Sequence, residues 1–262
     1  MSDFSSRSSS KTAQFSALIC RLSALSQLSE EDLRLLYSLA RFIRLHPPRT
    51  EIWTGMKPTA PRLLVSGWAC RHRLLGDGRR QIINFILPGD SIGNLEELAL
   101  PSDTSSMALT NATSVDATSL THAAASGHSA HHGLTRAIRL LALHETALMS
   151  DHIVRLGRQT AYERMVHLML EFHHRLQVAG LGTSDSFGMP LTQEVLADSL
   201  GLSVVHVNRT LQQVRRDGLL EIRAGQVKIL DLKLMQAVAD WMSIAPLPTK
   251  PEALRVLRNT NW

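Results

Sequence analysis

Cysteine is scarce in this sequence, and its scarcity excludes a disulfide framework. Cys20 and Cys70 are the two cysteines among 262 residues, and two distant thiols cannot hold a metal cluster on their own. We interpret both as free thiols in a reducing cytoplasm. Cys70 stands in a β-rich run beside Trp68 and is expected to be a small core residue; a redox switch at either thiol is the alternative.

Long apolar runs and enzyme signatures are missing as well. No stretch approaches the roughly 20 apolar residues of a membrane span, and the serine-rich start lacks the apolar core of a signal peptide. No phosphate-binding glycine loop, His-Glu-x-x-His motif or Ser/His/Asp order stands out. We therefore expect a cytoplasmic protein with a disordered tail at 1–14. It is expected not to be an enzyme, to need no cofactor and to bind no membrane.

Acidic residues are in the minority, yet net charge identifies no partner. The formal charge is +5 and the isoelectric point about 9.7, which is compatible with a polyanionic partner. The basic residues concentrate between Arg41 and Gln81, outside the stretch with the strongest motif. A nucleic-acid function therefore has to be argued from the motif.

The stretch from Leu191 to Leu220 has the pattern of a helix-turn-helix. Thr192 can cap a short helix, and Gly201 can turn the chain left-handed. Ser203 can cap a second helix that ends at Gly218. The apolar residues at helical spacing on the inner side are Val195, Leu196, Leu200, Val204, Val207, Leu211 and Val214.

The second helix of this pair presents its other side to solvent or to DNA. Its amide and guanidinium groups can pair with base edges and phosphates. After Gly218, two short apolar runs around Ala224-Gly225 predict a β-hairpin, the wing of a winged helix-turn-helix. An ordinary helical hairpin with a solvated face is the alternative. The candidate DNA-binding residues are Thr192, Ser203, Val204, Val205, His206, Asn208, Arg209, Gln212 and Arg216.

The first half of the chain changes from helical to strand patterns. Amphipathic helices are predicted over 15–28 and 29–42, the second capped by Ser29. The β-rich runs and the turn between the first two are 62–75, Gly76-Asp77-Gly78, 79–87, 106–110 and 113–120. Many short strands with frequent turns indicate a small barrel or jelly roll. A small, polar segment at 123–133 is expected to connect this barrel to the next helix.

A long helix is predicted over 135–158, with two candidate packing seams. The residues that recur every seven positions are Leu141 and Leu148 on one line, and Leu140, Ala147 and Val154 on the other. Packing between two chains and packing on the chain's own barrel both fit this spacing. His144 with Asp151 is a candidate pH-sensitive pair on the seam, and partial exposure of His144 is the simpler interpretation.

Four histidines and an arginine pair have competing interpretations. His122, His128, His131 and His132 lie in a segment without carboxylates, which favours solvated side chains over a metal site. Arg79-Arg80 follows the hairpin tip and is interpreted as a solvated pair. Contact with a polymerase or with distorted DNA is the alternative.

Gly67, Asp77-Gly78, Pro88-Gly89-Asp90-x-Ile92-Gly93 and the Leu191–Leu220 motif together resemble the Crp/Fnr family of bacterial transcription regulators. The resemblance implies an α+β fold with three parts. These are an N-terminal, cyclic-nucleotide-binding-like β jelly-roll barrel over 15–134, a long dimerisation helix over 135–158, and a C-terminal winged helix-turn-helix over 159–242, before a tail at 243–262. It also implies a homodimer on palindromic double-stranded DNA, with half-sites about 34 Å apart and RNA polymerase as a partner.

Two charged anchors of the family's cyclic-nucleotide binders are replaced here. Those members place a glutamate against the ribose and an arginine against the cyclic phosphate, where this chain has Asn94 and Ser105-Ser106-Met107. Two cysteines cannot supply the four thiolates of an iron–sulfur cluster, and no axial pair for haem stands out. We expect control by neither cyclic AMP nor an iron–sulfur cluster.

The first turn of the second helix departs from the family as well. Where many relatives carry a glutamate and an arginine, this chain has Val204-Val205-His206. Val205 can pack on a thymine methyl, Asn208 can pair with adenine, and Arg209 matches the family arginine that contacts guanine or phosphate. The preferred operator is expected to differ from those of better-known members.

Two functions from different classes fit these observations. The first is a sequence-specific DNA-binding transcription regulator. The second is a small-molecule or protein-binding sensor or scaffold whose winged helix serves protein contacts. Arg209, Arg215, Arg216 and Lys228 lie on the second helix and the wing, and their charge favours the first.

Overall fold

The computed structural model describes residues 15–56, 60–93, 102–125 and 131–242. The predicted tails at 1–14 and 243–262 lie outside these ranges. None of the helices within them is long and apolar enough to cross a membrane.

Two N-terminal helices pack against a β-barrel. Helix α1 covers 15–25, α2 covers Glu30–Ser38, and a short 3-10 turn leads into the first strand. Ser29 caps α2 as predicted: its hydroxyl accepts from the Asp32 amide at 3.1 Å, and the Asp32 carboxylate accepts from the Ser29 amide at 2.9 Å. The apolar sides of both helices, including Phe15 and Leu36, join the core beneath the barrel.

Eight described strands form the barrel as two antiparallel sheets, ordered β1-β8-β3-β6 and β2-β7-β4-β5. The chain crosses repeatedly between the sheets, which is the arrangement of a jelly roll. The sheets enclose a small apolar core that includes Trp53, Leu64, Ile86 and Ile92. The strands are β1 Ile43–His46, β2 Glu51–Thr54, β3 Arg62–Ser66, β4 Ala69–Leu74, β5 Arg80–Ile86, β6 Ser91–Ile92, β7 Ser105–Ala108 and β8 Ala112–Asp116.

Gly67 divides the run that the sequence predicts as one strand at 62–75. Its φ is +81°, and a Cβ at this position would lie 2.4 Å from the carbonyl oxygen of Asn111, so glycine is required. The chain crosses here from β3 in one sheet to β4 in the other. The prediction of a single strand is wrong because the apolar pattern continues through the turn between the sheets.

Two helices follow the barrel, and they correct the prediction for 113–133. Helix α3 spans Thr118–Ala125 and α4 spans His132–Arg158. The strand predicted at 113–120 ends early because the Asp116 carboxylate accepts from the Thr118 amide at 2.8 Å and starts α3. The connection predicted at 123–133 is shorter than expected, and 126–130 lie outside the described residues.

Helix α4 has one face on the barrel and one face open to solvent. Leu141 and Leu148 are buried, whereas Leu143, Ile153 and Val154 are 65%, 70% and 55% exposed. Of the two predicted seams, the line of Leu141 therefore packs within the chain. The other line borders the open face, because its members Leu140 and Ala147 are half-buried and Val154 is exposed.

His144 belongs to the buried face of α4 and is 7% exposed, so the interpretation of a partly exposed histidine is wrong, and the ring does not lie on the open face where it could pair across a dimer. Its Nδ1 lies 2.8 Å from Nη2 of Arg21 in α1. Burial and the charge of Arg21 lower the pKa of His144 to about 3. The ring is therefore a neutral hydrogen-bond acceptor within the core.

The C-terminal part is a winged helix-turn-helix preceded by helix α5, Ala161–Val178. Its three-stranded sheet is ordered β10-β11-β9. Phe187 of β9 pairs with Val227 of β11 and is buried in the core. The remaining elements are β9 Ser186–Gly188, α6 Gln193–Leu200, α7 Val204–Arg216, β10 Leu220–Arg223, β11 Gln226–Ile229 and α8 Leu232–Val238.

Helix α5 joins the barrel to the winged helix. Phe172 lies edge-on to Trp68 and Phe85 of the barrel, with ring centroids 5.0 and 4.9 Å apart. On the other side, α5 packs against α7 and α8. The same apolar cluster therefore runs from Cys70 in the barrel to Met235 in α8, and Cys70 is the buried core residue that the sequence predicts.

A network of buried charges accompanies this apolar cluster. Glu171 of α5 accepts from Arg155 of α4 at 2.5 Å and from Arg175 at 2.7 Å. Arg175 also lies 2.5 Å from Asp90 in the turn after β5. The two arginines lower the pKa of Glu171 to about 2 against the opposing effect of burial. Buried charges of both signs thus bind the long helix, α5 and the barrel together.

Candidate nucleic-acid interface

The turn between α6 and α7 forms as the sequence predicts. The Thr192 hydroxyl accepts from the Val195 amide at 3.3 Å, and the Ser203 hydroxyl accepts from the His206 amide at 3.2 Å. Gly201 ends α6 with a φ of +65°, in the left-handed region that glycine adopts without strain. The two helices are thereby held at a sharp angle to each other.

Helix α7 is strongly two-sided. Val207, Thr210, Leu211 and Val214 are at most 9% exposed and pack towards α5 and α6. Val204 was expected on this inner side as well, but it is 42% exposed, because it begins the helix beyond the reach of the packed turns. The opposite face carries amide, imidazole and guanidinium groups and no carboxylate between 204 and 216. A face of this composition can donate hydrogen bonds to base edges and phosphates without charge repulsion.

Every candidate DNA-binding residue lies on an exposed part of this region. Asn208 and Gln212 are one turn apart, and the Gln212 amide donates to the Asn208 carbonyl oxygen at 2.9 Å. Val205 is 64% exposed and is therefore accessible on this face. The exposed candidates are Thr192, Ser203, Val204, Val205, His206, Asn208, Arg209, Gln212 and Arg216.

Two features of the interface were not singled out from the sequence. Arg223 stands at the end of β10 with its side chain 82% exposed, 3.4 Å from Glu221. With Arg215, Arg216 and Glu221 it lines a groove of about 420 Å³ between α7 and the wing, in which basic side chains outnumber the acidic one. Arg223 was missed because the alternation of apolar and polar residues in a strand predicts which face of the strand a side chain lies on. It does not predict which element lies opposite that face. Asp217 accepts from the Tyr162 hydroxyl at 2.8 Å and anchors the end of α7 on α5.

The wing turn has the geometry that the sequence predicts. Ala224 and Gly225 have φ values of +49° and +75°, which is the two-residue turn that suits the right-handed twist of a hairpin. Lys228 of β11 is exposed beside it. The wing therefore presents basic side chains near the end of α7.

The two charged anchors of a cyclic nucleotide were predicted to be replaced, at Asn94 and at Ser105-Ser106-Met107. Asn94 lies outside the described residues. Ser105 and Ser106 begin β7, and the buried Ser106 hydroxyl has no hydrogen-bond partner. Arg71 of β4 instead forms an ion pair with Glu145 of α4, which also accepts from the Ser91 hydroxyl at 3.1 Å.

A small cavity lies between the described parts of the barrel and α4. A cavity of about 10 Å³ lies beside Ser91, His144 and Glu145, which is about enough for one water molecule. The chain's own Glu145 thus supplies the negative charge that Arg71 faces.

Arg80 differs from its prediction as a solvated residue. Its guanidinium forms an ion pair with Asp198 of α6 at 2.7 Å, so it lies between the barrel and the helix-turn-helix. Arg79 is solvated as predicted and pairs with Asp77 of its own turn.

The histidine segment forms no metal site within the described ranges. His131 lies 3.1 Å from Asp32 of α2, and His128 lies outside the described residues.

The sequence matches known proteins along most of its length. A family model described as a Crp-like helix-turn-helix domain matches residues 163–238. The nitrogen fixation regulation protein FixK of Bradyrhizobium diazoefficiens is 31% identical over 82% of this chain and 88% of its own. The transcriptional activatory protein AadR of Rhodopseudomonas palustris is 29% identical over 83% of this chain and 89% of its own.

Solved structures are similar to the whole arrangement. FixK2 from Bradyrhizobium japonicum matches with a TM-score of 0.65 at 26% identity and covers 77% of this chain and 98% of its own. A CooA mutant from Carboxydothermus hydrogenoformans has the same fold, with a TM-score of 0.58 at 14% identity over 75% of this chain and 87% of its own.

Proposed function

The chain belongs to the Crp/Fnr family of DNA-binding transcription regulators, and from this we propose that it is a homodimer that binds a palindromic operator through α7. In this proposal 15–134 is the sensor barrel, 135–158 the dimerisation helix and 159–242 the DNA-binding domain. The activity is binding alone, without a catalysed reaction, and RNA polymerase is the partner at the promoter.

The observation that carries the proposal is the exposed, carboxylate-free face of α7 around Arg209. Seated in a major groove, Arg209 donates to a guanine or a phosphate, and Asn208 pairs with an adenine edge. Val205 covers a thymine methyl. The basic groove between α7 and the wing receives the sugar-phosphate backbone.

Selection of random-sequence DNA followed by affinity measurement tests this proposal. Arg209→Ala is expected to weaken binding to the selected operator about fivefold to 150-fold, the effect of about 1–3 kcal/mol for a specific base contact. Arg41→Ala, which removes an exposed arginine of the 3-10 turn, is the control and should bind normally. Full specific binding by Arg209→Ala would refute the assignment of α7.

The same selection separates the regulator from a scaffold with a winged helix for protein contacts. A scaffold would enrich no operator at any salt concentration. A regulator enriches a palindrome, and its affinity falls steeply as salt increases because phosphate contacts release counterions.

Dimerisation is proposed to use the open face of α4. Leu143, Ile153 and Val154 lie on this face and are all more than half exposed. Apolar side chains in this number on one long helix favour a partner helix. Gly157 has nothing within 4 Å of the place of its Cβ, which leaves room for close approach.

We propose further that cyclic AMP does not control this protein in the family's usual mode. Ser105 and Ser106 at the start of β7 support this, because neither side chain carries the positive charge that a buried cyclic phosphate needs. Titration calorimetry with micromolar cyclic AMP and cyclic GMP should give only heats of dilution. Saturable binding of either nucleotide would contradict the proposal.

A further inference from the structure

The barrel touches the helix-turn-helix through an ion pair that the function described above does not use. Arg80 begins β5, and its Nε and Nη2 lie 2.8 and 2.7 Å from Oδ2 of Asp198 in α6. The neighbouring Gln81 donates from Nε2 to the Ser199 carbonyl oxygen at 3.3 Å. The side chains of Arg80 and Asp198 are 24% and 30% exposed, so solvent screens the pair only in part.

Helix α6 is held at this end by three directional contacts. Arg80 and Gln81 tie it to the barrel, and Arg164 of α5 donates from Nη1 to the Leu200 carbonyl oxygen at 3.0 Å. Leu196 and Leu200 add apolar packing. Apolar burial has no preferred direction, whereas hydrogen bonds weaken steeply when they are misaligned. The three contacts together therefore fix the angle of α6 relative to the barrel.

The angle of α6 determines where α7 points. The two helices pack against each other, Ala197 of α6 and Val207 of α7 are both nearly fully buried, and Gly201 sets the turn between the helices. In a homodimer joined along α4, the barrel and α4 form the frame from which each α7 projects. A two-fold dimer binds two half-sites about one turn of DNA apart, so a change in this angle alters the separation that both α7 helices can reach.

We propose that Arg80 and Asp198 are positioning residues that restrict the half-site spacing this protein accepts. The proposal rests on the proposed homodimer and adds a determinant outside the DNA interface. Neither residue needs to touch DNA, because the pair acts through the orientation of α6 and α7.

The test measures affinity for a set of operators with identical half-sites whose spacing differs by one base pair in either direction. The wild-type protein is expected to prefer one spacing strongly. Arg80→Gln and Asp198→Asn should each reduce that preference about fivefold, the effect that a partly screened ion pair has on an equilibrium. The double variant Arg80→Asp with Asp198→Arg should recover the preference, because it rebuilds the pair with reversed charges.

Arg79→Gln is the matched control, since it removes the neighbouring arginine, whose partner Asp77 lies in the same hairpin. It should keep the wild-type spacing preference. An unchanged preference in both Arg80→Gln and Asp198→Asn would overturn the proposal. An equal loss in Arg79→Gln would overturn it too, because general charge and not the pair would then be responsible.

Hydrogen exchange gives a second measurement that does not depend on DNA. The amides of α6 should exchange about fivefold faster in Arg80→Gln than in the wild-type protein and in Arg79→Gln. Equal exchange in all three proteins would contradict a positioning role. A wild-type protein that is monomeric or selects no palindrome would instead refute the proposed function, so the two failures are distinguishable.

Discussion

Glu171 lies fully enclosed between two arginines in the middle of α5. A buried charge of this kind is tolerated because its partners are close and directional. The same helix carries His167, whose Nδ1 lies 2.9 Å from Arg155 and whose pKa falls to about 4 through burial and that arginine. Glu171, His167 and their arginine partners therefore hold α4, α5 and the barrel together.

Glu171→Gln is expected to lower the free energy of unfolding by about 3–5 kcal/mol, because Arg155 and Arg175 would remain buried without their carboxylate. Glu31→Gln, at an exposed position in the first turn of α2, should change it by about 0.5 kcal/mol or less. Urea unfolding followed by circular dichroism measures both. Equal stability of the two variants would show that Glu171 is not a structural anchor.

Helix α4 has one face packed on the barrel and one open face. Its buried face, with Leu141 and Leu148, continues the core of the barrel, while Leu143 and Val154 have no cover within the described chain. A seven-residue repeat does not distinguish the buried face from the open face, because the two lines of residues have the same spacing. Which line is buried depends on where the barrel lies.

Leu143→Glu is expected to convert the proposed dimer to monomer at micromolar concentration, since burying an unpaired charge at the interface weakens association about a hundredfold or more. The variant should fold normally because Leu143 is 65% exposed in the single chain. Sedimentation velocity gives the answer. Leu45→Glu, at a barrel leucine that is 79% exposed, is the control and should stay dimeric; a dimeric Leu143→Glu would place the interface elsewhere.

On the scale of the whole molecule, buried histidines lie where the barrel, α4 and α5 pack together, and they make the stability of the fold sensitive to acid. Burial and nearby arginines lower the pKa of His144 to about 3 and the pKa values of His152, His167 and His174 to about 4. In the unfolded chain these rings have pKa values near about 6.5. The unfolded state therefore binds more protons below that pH, and stability falls as pH decreases from about 6.5 towards 4.

Acidification from pH 7 to pH 5 is thus expected to cost about 2 kcal/mol of stability for each ring that stays neutral in the folded protein. Urea unfolding at several pH values measures the slope. His152→Leu should flatten it by about one proton, whereas His132→Gln, at an exposed position, should leave it unchanged. A pH slope that His152→Leu does not alter would refute this assignment.

Local chemistry was sufficient to predict the helix-turn-helix and the hairpin turns. Thr192, Gly201, Ser203 and Gly218 act on their own neighbours through caps and left-handed turns, so their positions in the sequence are enough. The exposed side of α7 follows from the period of its apolar residues. The proposed DNA contacts lie on this exposed side, so the sequence alone is sufficient to predict them.

Contacts between distant segments were decided by tertiary structure alone. Arg80 and Asp198 are 118 positions apart, and nothing near Arg80 in the sequence distinguishes it from the solvated Arg79. The burial of His144 likewise depends on Arg21, which lies 123 positions away. The periodicity of apolar residues defines the faces of a helix or strand. Which element packs against each face depends on the tertiary fold, which brings distant segments of the chain together. The sequence by itself therefore determined the helix-turn-helix and the exposed face of α7. Only the tertiary structure determined which contacts hold the helix-turn-helix against the barrel.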